Sequence, residues 1–118
     1  MSYHKLIMYQ KAKELVVDIF HLWSKHSSNR QVEPIFKQLI RSAGSIGANV
    51  VEGYGRNNRK EFRQFLGVAR GSGFETSYWL EILREIIPDK AQIDKQTQLN
   101  LEITKMLSSS IKTLGSTL

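Results

Sequence analysis

The sequence predicts an all-α protein: a four-helix bundle with an antiparallel, up-down-up-down course. Three observations lead there. Only two prolines occur in 118 residues. Strand-like alternation is nearly absent, and apolar residues recur with a period near 3.6 over four long segments. Segments of roughly 22 to 29 residues make helices about 33 to 44 Å long. Four such helices of comparable length, joined by short breaks, pack most simply as a bundle.

The first segment spans about Tyr3 to His26. Its stripe is Met8, Ala12, Leu15, Ile19 and Leu22, flanked by Tyr9, Val16 and Trp23. Ser27-Ser28-Asn29 breaks it with polar residues that compete for backbone hydrogen bonds. The second spans about Gln31 to Glu52, with Pro34 in the first turn, where a missing N–H is harmless. Its stripe is Phe36, Leu39, Ala43, Ile46 and Val50, and Gly53 and Gly55 are placed to end it in the left-handed capping conformation. The third spans about Arg59 to Ile87, with Asn57 or Asn58 as its cap. Phe62, Leu66, Ala69, Gly73, Thr76, Leu80, Leu83 and Ile87 form its stripe, and Pro88 stops it. The fourth begins near Ala91. Leu99, Ile103, Met106, Ser110 and Thr113 fall on one line, with Leu107, Ile111 and Leu114 beside it and a frayed tail from Gly115.

Length and composition narrow the function. At 118 residues the chain is one domain, 1–118. No apolar run approaches the ~18 residues that a membrane span needs. No basic-then-apolar leader opens the chain, which sets a cytoplasmic expectation and no membrane partner. Zero cysteines exclude disulfides, thiolate catalysis and thiolate metal sites. Seventeen Lys and Arg against eleven Asp and Glu give a net charge of +6, a balance suited to polyanions. The charge is uneven: residues 56 to 70 hold Arg56, Arg59, Lys60, Arg63 and Arg70 against Glu61 alone. Residues 75 to 89 hold Glu75, Glu81, Glu85 and Asp89 against Arg84 alone.

Three stretches carry a resemblance. They are Leu6-Ile-Met-Tyr-Gln-Lys-Ala12, Ile40-Arg-Ser-Ala-Gly-Ser-Ile-Gly-Ala-Asn-Val-Val-Glu-Gly-Tyr-Gly-Arg56 and Glu61-Phe-Arg-Gln-Phe-Leu-Gly-Val-Ala-Arg-Gly-Ser72, the last followed by Glu75. With these the chain resembles, over nearly its whole length, the 23S rRNA-intervening sequence proteins. The resemblance implies an up-down bundle that assembles into a ring-like homopentamer; nothing in the periodicity speaks to that number. It also implies a reading frame sometimes carried inside an rRNA gene insertion, with no established biochemical activity. A related branch comprises the accessory variability proteins of diversity-generating retroelements, in which a basic pentamer binds a reverse transcriptase and nucleic acid.

Several constellations are candidate sites. Arg56, Arg59, Arg63 and Arg70, spaced by three, four and seven residues, are expected on one helical face with Lys60 at its edge, opposite Phe62, Leu66 and Ala69. Such a row suits successive phosphates; the plain alternative is a solvated face with one arginine pairing with Glu52. Asn49, Glu52 and Glu75 read as a structural polar network that locks the second and third helices together. The acid-base or metal alternative lacks the Glu-x-x-His pairs that bundle metal sites use, since His4, His21 and His26 lie far off. No metal or other cofactor is implied. The small-residue run Ser42, Ala43, Gly44, Ser45, Gly47 and Ala48 lacks a Walker ending and reads as a close-packing strip, with Gly71-Ser72-Gly73 as its facing notch. Tyr54 is a platform for a base or an aromatic plug for the bundle end. Beyond residue 73 the third helix is apolar nearly all round, so Phe74, Tyr78, Trp79, Ile82 and Ile86 are expected at an oligomer interface.

No Gly-x-Ser-x-Gly elbow or other catalytic constellation is present. The sequence therefore points to a non-enzymatic, homo-oligomeric protein that binds RNA, DNA or a ribonucleoprotein through the Arg56 to Arg70 face. The alternative is a structural adaptor for a protein partner, for example a reverse transcriptase, with the charge incidental.

Overall fold

A computed structural model of the chain describes residues 2–116. A 3₁₀ turn, Tyr3–Lys5, precedes four helices: α1 (Ile7–Ser24), α2 (Glu33–Gly55), α3 (Arg59–Ile86) and α4 (Lys90–Ser116). No strand occurs among the described residues. Each helix packs on the next, and α4 returns to α1, which closes a rod of 48 × 20 × 20 Å.

The helices begin and end where local chemistry dictates. Leu6 is extended, so the expected first helix is split into the turn and α1. Pro34 sits in the first turn of α2 as expected. The Asn58 side chain caps α3 by accepting the Glu61 amide at 3.0 Å. At the other end Ile87 is extended before Pro88, as steric conflict with a proline ring requires. The α4 helix continues through Gly115 to Ser116. The rest of the expected frayed tail, residues 117 and 118, lies outside the described residues.

The stripes of α1 to α3 reach the core as the periodicity predicts. Ala12, Leu15, Ile19 and Leu22 of α1, the five stripe residues of α2, and Leu66, Ala69, Leu80 and Leu83 of α3 are all fully buried. Trp23 stacks parallel on Phe36 with ring centroids 5.7 Å apart. The α4 line is corrected. Its buried residues are Ile93, Gln96, Asn100, Ile103 and Leu107, while Thr113 is exposed. Two carboxamides occupy core positions, so a search for apolar periodicity settles on a neighbouring line.

Those carboxamides are partly satisfied. Asn100 Nδ2 donates to the Gly73 carbonyl and to Ser77 Oγ, both at 2.9 Å. Gln96 Nε2 donates to Asp18 at 3.1 Å, while Gln96 Oε1 and Asn100 Oδ1 are buried with no donor from the protein. On the other flank of α3, Thr76 Oγ1 donates to Ser42 Oγ at 3.0 Å and Ser72 Oγ to Ser45 Oγ at 2.9 Å. Small hydroxyl residues thus let α2 approach α3. Gly73 does the same for α4, since a Cβ there would lie 2.5 Å from Thr104 Cγ2. The expected meeting of two glycine patches is corrected in part. Ser45 and Ser72 do meet, but Gly44 and Gly71 have nothing within 4 Å of a would-be Cβ.

One end of the rod is pinned by polar contacts. His26 Nε2 lies 2.8 Å from Asp89 Oδ1, joining the α1–α2 and α3–α4 connections. Arg84 grips both carboxylate oxygens of Asp94, at 2.6 and 3.1 Å. The Arg84 hydrogen bond holds the Asp94 carboxyl below the usual carboxylate range against a smaller opposing desolvation, and the same bond raises Arg84.

Two outcomes follow. Gly73→Ala should destabilise the fold by about 1–3 kcal/mol through overpacking, and Thr104→Ser in the same chain should restore part of that in a denaturant double-mutant cycle. Asp94 has a depressed folded-state value, so its contribution is present above the unfolded value near 3.8 and fades as pH falls through the folded one. Thermal melts of Asp94→Asn should therefore sit slightly below the parent at pH 7 and merge with it in strong acid.

Candidate nucleic-acid interface

The corner between α2 and α3 is where the candidate cations gather. Gly53 and Gly55 do not cap α2 in the left-handed conformation; both lie within the helix, and no described glycine has positive φ. The turn is made by Asn57, at φ 51°, one of the few non-glycine types that accept this region cheaply. Gly53 serves close approach instead. A Cβ there would stand 2.6 Å from Phe65 Cβ, so glycine is what lets α3 begin directly against α2.

This corner rearranges the arginine row. Arg56 belongs to the end of α2, not to α3. Its guanidinium donates to Glu52 at 3.1 Å and lies over the Phe65 ring at 5.1 Å. Arg63 turns the other way: its Nε donates to the Ile111 carbonyl at 3.0 Å, and the guanidinium fills the space beside Gly115. A cation against the last turns of a helix is favoured by the carbonyl ends there. Arg59 and Lys60 are exposed at the start of α3, while Arg70 is half-buried about 16 Å farther along. Arg59, Lys60 and Arg70 form no ion pair among the described residues.

The expected straight stripe opposite the core is therefore corrected. Arg63 flanks the α3–α4 contact, on the side where Asn100 reaches Gly73 and Ser77. The outward face of α3 carries Phe74 and Tyr78, at 66% and 53% exposure. Arg56, Arg59, Lys60 and Arg63 are all exposed around this corner, and Glu52 and Glu61 are the acidic residues of the stretch 52–63. Sequence reasoning assigns Phe62 and Leu114 to core lines and passes over Phe65, although all three meet at this corner. The Asn57-Asn58 pair is the available signal, since asparagine tolerates the left-handed region and caps helices.

The polar trio does not form one network, because each member binds its own partners. Asn49 Nδ2 donates to the Ser45 carbonyl at 2.7 Å and to Ser45 Oγ at 2.9 Å. Glu52 is exposed and pairs with Arg56. Glu75 accepts from Arg41 and, at 3.0 Å, from the Trp79 indole. Glu75 does tie α2 to α3, through Arg41 and not through Glu52. No group of three or more His, Asp or Glu that could hold a metal occurs among the described residues.

Of the apolar residues expected at an interface, Phe74, Tyr78 and Ile86 are exposed, while Trp79 and Ile82 are half-buried and Trp79 packs on the core. Val68, which the sequence pattern does not single out, is 54% exposed on the same helix. No helix is long and apolar enough to cross a membrane among the described residues.

The model of one protein family, the 23S rRNA-intervening sequence protein, matches residues 4–109. The chain belongs to that family. A crystal structure of a protein of unknown function from the S23 ribosomal protein family of Bacteroides thetaiotaomicron is similar, at 33% identity and a TM-score of 0.82. The match covers 90% of this chain and 99% of that one, so the family fold spans nearly the whole molecule. No curated protein matches.

The corner's tight joint can be checked directly. Gly53→Ala should destabilise by about 1–3 kcal/mol in chemical denaturation, because the Phe65 Cβ it meets is fixed to the α3 backbone. Asn57→Gly should be close to neutral, since glycine adopts the same φ without strain.

Proposed function

We propose that this family member is a small, basic, non-enzymatic, cytoplasmic homo-oligomer that binds RNA, DNA or a ribonucleoprotein. One observation carries the proposal: Arg56, Arg59, Lys60 and Arg63 are all exposed around the α2–α3 corner, in a chain of net charge +6. Phosphates neutralised by such a cluster release counterions, which gives binding with a steep salt dependence. Arg70, half-buried and remote from the corner, is the weakest member of the set.

Self-association has its own support. Gly67 and Gly71 lie inside α3 with nothing within 4 Å of a would-be Cβ, beside the exposed Phe74 and Tyr78. A mid-helix glycine costs about 1 kcal/mol relative to alanine. Nothing inside the subunit offsets that, whereas a helix arriving from outside would use the closeness. Phe74, Tyr78 and Ile86 are then the contact residues, with Trp79 and Ile82 behind them, and the ring-like homopentamer implied by the resemblance is the assembly we favour. Within each subunit, Arg84 meets Asp94, Gly73 meets Asn100 and Arg63 meets Ile111, in support of an antiparallel up-down-up-down course.

The exposed α3 face also favours a second reading, an adaptor for a protein such as a reverse transcriptase, as in the retroelement branch. Fluorescence titrations of single-stranded RNA over a range of salt concentrations separate the two. The combined Arg59→Ala and Lys60→Ala substitutions should flatten the slope of log K against log salt by about 1.4, at ~0.7 for each phosphate no longer neutralised. Salt-insensitive binding, or none at low ionic strength, rejects the nucleic-acid reading. Gly71→Arg should leave helix content intact by circular dichroism and shift native mass spectra towards monomer. An unchanged oligomer would remove this face from the interface.

A further inference from the structure

We infer that the corner cavity receives an unpaired nucleobase, so that the nucleic acid is taken up as a single strand; the inference rests on the nucleic-acid reading above. An open cavity of about 640 Å³ lies between α2, α3 and the end of α4, lined by Tyr54, Asn57, Asn58, Arg59, Phe62 and Leu114 among others. Its size is that of a small-molecule site, far beyond what one side chain fills. Its lining combines three kinds of chemistry. Tyr54 and Phe62, both half-buried, meet edge-on at 88° with centroids 6.3 Å apart, which holds two aromatic rings in the cavity wall. Leu114 adds apolar contact.

The rim is polar. The Asn58 carboxamide oxygen is committed to the Glu61 amide, which leaves its NH₂ as a donor, and Asn57 adds a second carboxamide with donors and an acceptor. Such groups match the edge of an unpaired base, which a duplex hides. Arg59 stands on the same rim, and the first two amides of α3, those of Arg59 and Lys60, have no partner within the helix. A phosphate attached to a base in the cavity meets both.

The cation geometry argues for the same ligand. A row of arginines along α3 would suit the regular phosphate ladder of a duplex. Arg56 instead folds back onto Phe65, Arg63 folds onto α4, and Arg59 is the one of the four that lines the cavity. That leaves one cation beside the hollow, which suits the phosphate of a single nucleotide better than a phosphate ladder. Stacking on aromatic faces is tolerant of sequence because every base has a π-face.

The test compares an intact single-stranded RNA of about ten nucleotides with an abasic strand of equal length and a duplex, by fluorescence anisotropy at low salt. The intact strand should bind on the order of tenfold more tightly than the abasic one. Phe62→Leu, which keeps apolar bulk but removes the ring, should bring that ratio close to one while leaving abasic binding unchanged. Asn57→Gly, which keeps the left-handed turn and deletes the carboxamide, should weaken the intact strand by roughly threefold and leave the abasic strand unaffected. If Phe62→Leu fails to fold by circular dichroism, Asn57→Gly carries the test alone. Equal binding of intact and abasic strands, or tighter binding of duplex, overturns the base pocket and leaves phosphate binding standing. Absence of binding to all three overturns the pocket and the proposed function together.

Discussion

The close approach that α3 allows on both flanks is the constraint on which the rest of this bundle depends. On the α2 side, Ser42, Ser45, Ser72 and Thr76 replace bulky side chains with hydroxyls that bond one another across the gap. On the α4 side, Gly73 leaves room for Thr104 and presents its carbonyl to Asn100. Where helices come this near, there is no slack for water to satisfy stray polar groups, so each hydroxyl must find its partner in the facing helix. The pairing fixes register as well as distance. A slide of α2 by one turn would separate both hydroxyl pairs at once.

The same constraint explains what can and cannot be read from the chain alone. Helices α1 to α3 are legible because their core positions are occupied by Leu, Ile, Val and Phe at a regular period. The α4 line shifts to a neighbouring position because Gln96 and Asn100 sit where an apolar residue is expected. The burial of an amide depends on a partner carbonyl in another helix, and that lies outside any local pattern. The corner misleads for a related reason. Glycine signals either a left-handed turn or a close approach; Gly53 is the second kind, and only Phe65, twelve residues later, shows it. Arginine spacing suggests one face, but spacing along a chain has no knowledge of the break at Asn57 between Arg56 and Arg59.

The candidate cations and the apolar face of α3 occupy different parts of the molecule. Arg56, Arg59, Lys60 and Arg63 lie around the α2–α3 corner, while the exposed Phe74 and Tyr78 and the open Gly67 and Gly71 lie on the outer side of α3. Subunits could therefore join through the second surface without covering the first. Every copy added to an assembly would bring another charged corner with it, and modest sites held together act through high local concentration.

The asparagine at the turn has a further consequence. A glycine there would make the same bend, yet it would lose more backbone freedom on folding and hold its neighbours less firmly afterwards. With Asn57 bearing the reversal and Asn58 tied to the Glu61 amide, the start of α3 is stiff before anything arrives. A pre-organised rim gives up little entropy when occupied. Its selectivity then depends on fit, and poorly fitting ligands gain nothing from the loop reshaping itself around them.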